Sequence, residues 1–454
     1  MHHLIATTLL ALATLCAGQP ALAWSNHALA SYRAFEVLPA VARAPAVAAE
    51  PLEAFLADQA GPIAALLDAQ DAWARSHIER YPPLPAALRF DAGVAGQGPQ
   101  ALRQAFLAAL RVSPESRLAL YVQPDPWAGP PTGARLPHEA VSSLPVRGKD
   151  GEGHVFVRLE PGQPVAPLAV LASASDEPDY GMDLQLWQDS GSPWGQRYGF
   201  GPLPFGNPRL ALSTQAPFHM GFYHERAIVY LAAGFLKRTY PLLRIHQYTG
   251  LAQLAFRSGH PYWGWRFAGL AVHYVQDLTQ PYHASVAPGF ATARLLGINL
   301  LAVLGMPGAK ADLVTLLSNR HFVVERYEGQ LLQAGAQTRR GGALEQALHD
   351  TSQDGRYGAW SDAYARDVVS LQAHDLGAPL TAELLASAPA RYVSDAGFDF
   401  GVHAGEIDLM AELNRLDAAP RAVLQGSIAA LMRNFGAHSR NLVRGVLQDA
   451  QAAR

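Results

Sequence analysis

Long Ala/Leu-rich segments, with apolar residues three and four positions apart, constrain the fold of this chain more than any other feature. That spacing places the apolar side chains on one face of an α-helix, and such a face is normally buried against other helices. We therefore expect a mainly α protein with many packed helices. The clearest predicted helices cover residues 52–79, 100–111, 225–237, 262–277 and 419–450.

Two segments interrupt this helical pattern. Residues 124–153 are rich in Pro, Gly and charged residues, which predicts a loop, and residues 154–159 alternate as in a short strand. We interpret about 113–168 as a loop- and β-containing insertion or small subdomain within the helical body. Residues 189–208 predict a second loop, because they are rich in Gly, Pro and aromatic residues.

The composition excludes several classes of protein. Hydrophobic residues make up 49% of the 454 residues, which is enough for a large core and rules out a mainly disordered chain. The net charge of −3 gives no basic excess of the kind that advertises a nucleic-acid groove. No segment reaches the roughly 18 uninterrupted apolar residues of a membrane span. We expect residues 24–454 to form a single helical catalytic domain.

Residues 1–23 have the pattern of a secretory signal peptide. Residues 4–17 are almost entirely apolar, and Ala21, Leu22 and Ala23 supply the small-x-small pattern of a cleavage site. Cleavage between Ala23 and Trp24 would make the protein secreted or periplasmic. The single cysteine, Cys16, lies in the removed segment, so we expect no thiol or disulfide in the mature chain.

The segment HYVQDLTQPYH, from His273 to His283, carries the strongest chemical signal. His273 and Asp277 are four residues apart, so on a helix they project from one face and can bind the same metal ion. Gln280 and Pro281 end that helix, and His283 can fold back from the turn toward the same region. Imidazole and carboxylate groups are ordinary Zn²⁺ ligands, so this segment predicts a metal site.

Further candidate ligands lie elsewhere in the chain. His321 and Glu325 repeat the spacing of four, and His219 and His224 flank an aromatic turn. Nitrogen and oxygen donors without thiolates suit zinc, and their number suits several ions placed close together. Four carboxylates also fall in one short, turn-like stretch: Asp176, Glu177, Asp179 and Asp183.

Three motifs together resemble the zinc-dependent phospholipase C / S1–P1 nuclease superfamily. They are the start WSNH at Trp24, the HYVQDLTQPYH segment and the HFVVE segment at His321. The resemblance implies a mainly helical domain that binds three zinc ions. It also implies that the new N-terminal Trp24 chelates one ion through its amino nitrogen and its carbonyl oxygen.

The resemblance also distributes ligands among the three ions. An aspartate of the 176–183 stretch joins the second ion, with Asp176 slightly favoured over Asp179, and His224 is the reserve if His219 is wrong. The implied ligands are Trp24 and His27 for the first ion, His219, His273 and Asp176 or Asp179 for the second, Asp277 as a bridge between these two, and His283, His321 and Glu325 for the third.

By the same resemblance we expect a secreted zinc metallohydrolase that cleaves phosphoric diester bonds with metal-activated water. Glu325 and the absence of disulfides favour a phospholipase C, which would release diacylglycerol and a phosphorylated head group at a membrane or micelle surface. The alternative is an S1/P1-type single-strand nuclease, for which nucleic acid would be the partner. A non-enzymatic zinc protein is a third reading, and the sequence indicates no protein partner.

The expected hydrolysis assigns roles to individual residues. The unliganded oxygen of Asp176 or Asp179 would accept the proton of the attacking water. Tyr180, Phe218 and Phe222 are candidate substrate-binding aromatics, able to form a cation–π wall for a head group. The apolar run 295–306 predicts either an interfacial lip that touches lipid or a buried core helix.

Overall fold

The computed structural model describes residues 26–144, 154–206 and 211–452, and these residues are mainly helical. The expected mainly α architecture is thereby confirmed. The predicted signal segment and Trp24 lie outside the described residues. The helices are α1 (His27–Phe35), α2 (Pro39–Ala42), α3 (Leu52–Asp58), α4 (Ala60–His77), α5 (Pro99–Leu110), α6 (Pro167–Ala174), α7 (Pro193–Tyr198), α8 (Ala216–His219), α9 (Ala227–Ala232), α10 (Pro241–Arg257), α11 (Pro261–Asp277), α12 (Pro281–Ala284), α13 (Thr292–Val303), α14 (Gly308–Thr338), α15 (Ala343–His349), α16 (Leu371–Ser387), α17 (Ala390–Val393), α18 (Phe400–His403), α19 (Leu409–Leu413) and α20 (Ala418–Ala452).

Short strands complete the secondary structure. The strands β2 (Tyr121–Val122), β3 (Arg135–Leu136) and β4 (Phe156–Arg158) form an antiparallel sheet in the order β2-β4-β3. This sheet lies within the segment interpreted as an insertion. A second antiparallel pair, β1 (Val47–Ala48) with β5 (Pro164–Val165), joins the end of that segment to the N-terminal part of the described chain.

Helix α11 is the centre of the fold. Its side chains are buried continuously from Tyr262 to Asp277, including polar side chains such as Gln276. Pro261 occupies the first turn, where a missing backbone N–H costs nothing. Helices α6, α10 and α20 all pack against α11. The residues at its C-terminal end are therefore surrounded by protein.

Gly269 allows α6 to approach α11 closely. A Cβ atom at this position would lie 2.5 Å from the carbonyl oxygen of Leu171 and 2.7 Å from Cβ of Ala174, so only glycine fits. The close approach brings the residues that follow α6, beginning with Ser175, against the last turns of α11. This contact positions the acidic stretch 176–183 beside His273.

The main hydrophobic core is continuous over most of the chain. It includes residues from Ala30 in α1 to Ala450 in α20, and a smaller cluster around Tyr121, Phe156 and Tyr180 covers the three-stranded sheet. Within the described residues, no helix combines the length and the apolar character that crossing a membrane requires.

Candidate metal centre

Imidazole and carboxylate side chains converge around the C-terminal end of α11. They are buried or nearly buried, and within each group the candidate ligand atoms lie within 4.8 Å of one another. Helices α1, α8, α11, α12 and α14 and the stretch that follows α6 contribute them. The three groups are His27, His273 and Asp277; Asp179, His219 and His273; and His283, His321 and Glu325.

In the first group, Gln276 orients His27. Gln276 donates through Nε2 to Ser31 Oγ at 2.8 Å, which turns its Oε1 toward Nδ1 of His27 at 2.7 Å. His27 therefore donates from Nδ1 and directs Nε2 toward Asp277 Oδ1, 3.6 Å away. Such a hydrogen bond from the remote ring nitrogen is the usual way in which proteins fix a metal-binding imidazole.

In the second group, backbone geometry orients His273. Nδ1 of His273 donates to the carbonyl oxygen of Ser175 at 2.7 Å, so Nε2 is the atom available for a metal. This Nε2 lies 3.0 Å from Nδ1 of His219 and 3.2 Å from Oδ2 of Asp277. Asp179 Oδ1 completes the group at 3.8 Å from both His219 Nδ1 and His273 Nε2.

The third group joins the turn after α11 to α14. Nδ1 of His283 donates to the carbonyl oxygen of His219 at 3.0 Å, which leaves Nε2 at 2.9 Å from Nε2 of His321. Glu325 Oε1 lies 2.5 Å from the same His321 nitrogen, as the spacing of four on one helix predicts. Gln280 donates to Glu325 Oε1 at 3.1 Å and holds this carboxylate in place.

Asp277 links the groups and supplies the clearest indication of a cation. Its Oδ2 accepts from His219 Nδ1 at 2.8 Å, while its fully buried Oδ1 has no hydrogen-bond donor among the described residues. Oδ1 lies 3.6 Å from both His27 Nε2 and His283 Nδ1. A buried, unsatisfied carboxylate oxygen is costly unless it binds a cation. These His, Asp and Glu groups can bind metal ions, and their donor set fits zinc.

Asp176 lies outside the three groups. Its Oδ1 accepts from the backbone N–H of Ala28 at 3.0 Å, and its Oδ2 accepts from Gln123 Nε2 at 2.8 Å. Both oxygens therefore hold the start of α1 and the end of β2 in place. The geometry favours Asp179 over Asp176 as the ligand, because Asp179 is the carboxylate that faces His219 and His273.

The two remaining acids of the 176–183 stretch also have structural partners. Glu177 accepts from Arg266 Nε at 3.0 Å, inside the core. Asp183 accepts from Arg244 Nε at 2.9 Å and from the hydroxyl of Tyr274 at 2.6 Å. These buried pairs anchor the stretch on both sides of Asp179 and so fix the direction of its carboxylate.

Burial and mutual contact set the pKa values of the cluster. Burial raises the pKa of Asp179 and that of Glu325 to about 7, and it lowers the pKa of His27 and that of His321 to about 4. Burial opposes ionisation of Asp277 too, but its histidine neighbours hold the pKa of that carboxyl well below its usual range. His27 and His321 are thereby kept in the neutral form, which is the form of imidazole that binds metals.

The reserve ligand His224 lies apart from the cluster. Its Nε2 is 2.8 Å from the carbonyl oxygen of Arg366 and 3.1 Å from Ser370 Oγ, so it bonds to the segment that precedes α16. His219, at the end of α8, is the histidine of this turn that enters the second group.

The three candidate substrate-binding aromatic residues lie in three different places in the structure. Phe218 is fully buried and packs in the core against Trp187, so the structure offers a substrate no access to it. Tyr180 packs edge-on against Phe156 in the small cluster at the sheet. Phe222 alone among the three lines the cavity beside the metal centre.

That cavity has a volume of about 650 Å³ and adjoins the metal centre directly, because His219, His283 and His321 form part of its wall. The rest of its wall is largely apolar. It includes Phe205, Leu212, Phe222, Leu236, Leu295, Leu296, Val314, Leu317 and Phe322.

Sequence reasoning missed the glutamines that orient the ligands. Gln276 and Gln280 both stand in the HYVQDLTQPYH segment. The sequence signal for Gln276 was a polar residue inside a largely apolar helix, because a buried polar side chain needs a hydrogen-bond partner.

Comparisons with protein-family models, with curated proteins and with solved structures found no match to this chain.

Proposed function

We propose that the protein is a zinc-dependent phospholipase C that hydrolyses glycerophospholipids to diacylglycerol and a phosphorylated head group. The observation that carries this proposal is that two of the three His/carboxylate groups reach a cavity of about 650 Å³ with largely apolar walls, through His219, His283 and His321. A phosphodiester that also bears long acyl chains is the substrate class that needs both features at once.

Three zinc ions would suit this donor set. His273 belongs to both of the first two groups but offers only Nε2, so it would bind one of those two ions. Asp277, whose oxygens lie near ring nitrogens of both groups, would be shared between the two ions. Trp24, three residues before His27, would add its amino nitrogen and carbonyl oxygen to the first group after signal cleavage. When bound, the ions would supply the Lewis acidity that activates water and stabilises negative charge on the phosphate.

The protein's own groups position the substrate and manage the proton. The carboxylate of Asp179 is directed at the centre of the second group, where it is placed to accept the proton of the water that attacks phosphorus. The new bond joins that water oxygen to phosphorus, and the bond from phosphorus to the glycerol oxygen breaks. The glycerol oxygen takes up the proton that Asp179 accepted and leaves as the hydroxyl group of diacylglycerol, while the apolar wall holds the acyl chains and excludes water.

The cavity favours lipid over nucleic acid. A single-strand nuclease uses a cationic groove along the phosphate backbone and exposed aromatic platforms for the bases. Among the described residues that line the cavity, Lys310 is the only Lys or Arg, and the aromatic Phe218 and Tyr180 are buried away from the cavity. The single-strand nuclease of the same superfamily is therefore the second candidate.

The test compares substrates with and without a chelator. Mature protein beginning at Trp24 would be assayed on phosphatidylcholine and phosphatidylethanolamine vesicles and, in parallel, on single-stranded DNA and RNA. We expect diacylglycerol release that a chelator abolishes and zinc restores. Release of nucleotides without diacylglycerol would establish the nuclease instead, and absence of both products with zinc bound would indicate a structural zinc protein.

A further inference from the structure

Exposed apolar side chains concentrate in one region of the surface. In the described part of the chain, eight of thirteen exposed large hydrophobic residues lie in two segments, 228–235 and 300–306. We call this region the apolar rim. It comprises Ile228, Leu231, Phe235, Leu300, Leu301, Val303, Leu304 and Met306.

Helix α13 provides Leu300, Leu301 and Val303 of the apolar rim, and none of its residues is buried. The alternative of a buried core helix for the run 295–306 was therefore wrong. The side chain of Asn299 donates to the carbonyl oxygen of Ala232 at 3.1 Å and joins α13 to the end of α9. The two exposed segments thus form one continuous surface.

The apolar rim is continuous with the cavity of the metal centre. Leu295, Leu296 and Ile298 of α13 line the cavity, whereas Leu300 and Val303 are 59% and 77% exposed. One helix therefore presents apolar side chains both to the cavity and to solvent. An apolar chain can pass from outside the protein to the metal centre without leaving apolar surface.

The charged residues in the two stretches of chain that carry the apolar rim are basic. Residues 226–238 and 286–311 contain five Lys or Arg and no Asp or Glu, although the whole chain has a net charge of −3. Glu225 and Asp312 stand directly beside these stretches in the chain. Lys237 is paired with Glu79 at 2.8 Å. Arg226, Arg294 and Lys310 are exposed, and Lys310 lies over the ring of Phe235 in the rim itself. Basic groups at the edge of an apolar surface attract anionic lipid head groups.

We propose that the apolar rim docks on the surface of a lipid bilayer that contains anionic lipids. The surface inserts Leu300, Val303 and Leu304 among the acyl chains and lets one lipid slide into the cavity. Helix α13 has 12 residues and is about 18 Å long, well short of the roughly 30 Å of a bilayer core, so it lies in the interface and does not cross it. The docking site deepens the proposed phospholipase function, but its test measures binding alone.

The test compares two double variants by co-sedimentation with vesicles. The zinc-loaded mature protein would be mixed with vesicles of a phosphonate analogue of phosphatidylcholine, in which the bond to be cleaved is replaced by a stable one, with and without phosphatidic acid. Leu300→Asp/Leu304→Asp changes the apolar rim, at residues 59% and 64% exposed. Leu416→Asp/Val423→Asp is the matched control at residues 44% and 55% exposed elsewhere.

We expect the rim variant to lose about tenfold or more of its vesicle binding, because two leucines no longer bury apolar area. The control variant should bind like the unchanged protein. Phosphatidic acid should strengthen the vesicle binding of the control variant and of the unchanged protein in low salt. Circular dichroism and thermal unfolding would verify that the two variants fold like the unchanged protein. We expect this because all four substituted positions are exposed.

Equal binding by the rim and control variants would overturn the proposal, as would no binding by the unchanged protein. A dimer in sedimentation velocity that only the rim variant disrupts would also overturn it, because the surface would then be an interface between two copies. If binding fails while chelator-sensitive diacylglycerol release persists, the docking site is wrong and the phospholipase function stands. If the protein binds vesicles but releases no diacylglycerol, the docking site stands and the phospholipase function is wrong.

Discussion

Asp277 serves two groups of the cluster because of where it stands on α11. It follows His273 by one helical turn, and it is the last residue of the helix, so its carboxylate reaches side chains on both sides of the helix end. Its two oxygens lie within 3.6 Å of ring nitrogens of His27, His219 and His283. A carboxylate with this reach can share its oxygens between two ions, which a helix-end capping group has no need to do.

Exchange of Asp179 and of Asp176 for asparagine should have different effects. We expect Asp179→Asn to lower the bound zinc by about one ion per chain and the activity by about a hundredfold or more, because a ligand and a proton acceptor are weakened together. Asp176→Asn should keep its zinc and lose about 1 kcal/mol or more of unfolding free energy, because Ala28 and Gln123 lose a charged acceptor.

Metal analysis and urea unfolding of the two purified variants would check this prediction. Loss of zinc from Asp176→Asn with full retention in Asp179→Asn would contradict the assignment of the second group.

At the residue scale, local spacing predicted only part of the site. The pairs at positions i and i+4, His273 with Asp277 and His321 with Glu325, need only a helix to meet. Local spacing could not predict which aspartate of the 176–183 stretch faces the cluster. It depends on Gln123 and on buried arginines up to about ninety residues away in sequence, which take up the neighbouring carboxylates and leave Asp179 to the cluster.

At the scale of elements, the packing of α6 on α11 determines where the acidic stretch lies. Because Gly269 has no side chain, α6 and α11 can approach each other closely at this position. The carbonyl oxygen of Ser175 then reaches Nδ1 of His273. The site therefore depends on a helix–helix distance as well as on its ligands.

Addition of one methyl group at this contact should destabilise the protein. We expect Gly269→Ala to lower the unfolding free energy by about 1–3 kcal/mol, because its Cβ would lie 2.5 Å from the carbonyl oxygen of Leu171. Gly426→Ala is the matched control, since Gly426 lies inside α20 with nothing within 4 Å of the added atom. There the better helix propensity of alanine should stabilise by up to about 1 kcal/mol.

Urea unfolding of both variants, with zinc bound, measures the difference. Equal effects of the two substitutions would show that the α6–α11 contact is less tight than the structure indicates.

The elements that the sequence predicted best are those with strong local signals at both ends. The helix predicted at 262–277 is α11, which begins at Pro261 and ends shortly before Pro281. The helix predicted at 225–237 was too long, because α9 ends at Ala232 and a 3-10 turn follows at Gly234–Lys237. The helix predicted at 52–79 is two helices, α3 and α4, because the backbone leaves helical geometry at Gln59.

At the scale of the whole molecule, the buried cluster should couple zinc binding to folding. Five imidazoles and three carboxylates share one interior region, and their binding energy for zinc is available only in the folded state. The cavity is likewise a property of the whole chain, since α8, α9, α13 and α14 each supply part of its wall. No local pattern predicts such a space, although the apolar run 295–306 indicated one of its sides.

Removal of zinc should therefore lower the thermal stability. We expect the melting temperature to fall by several degrees after dialysis against a chelator and to recover with zinc, because each site contributes about 2.7 kcal/mol when free zinc exceeds its Kd a hundredfold. Calcium should not restore the stability, since it prefers sites made of oxygen ligands. Scanning calorimetry provides the measurement, and an unchanged melting temperature after complete zinc removal would argue against a buried zinc cluster.

Hydrolysis of phosphatidylcholine and phosphatidylethanolamine in ¹⁸O-labelled water tests the central claim most directly. If metal-activated water attacks phosphorus at this site, one ¹⁸O atom will appear in the phosphorylated head group and none in diacylglycerol. A chelator will abolish both products, and Asp179→Asn will reduce them together. Unlabelled head-group phosphate, or cleavage that continues at the same rate without zinc, would contradict the account.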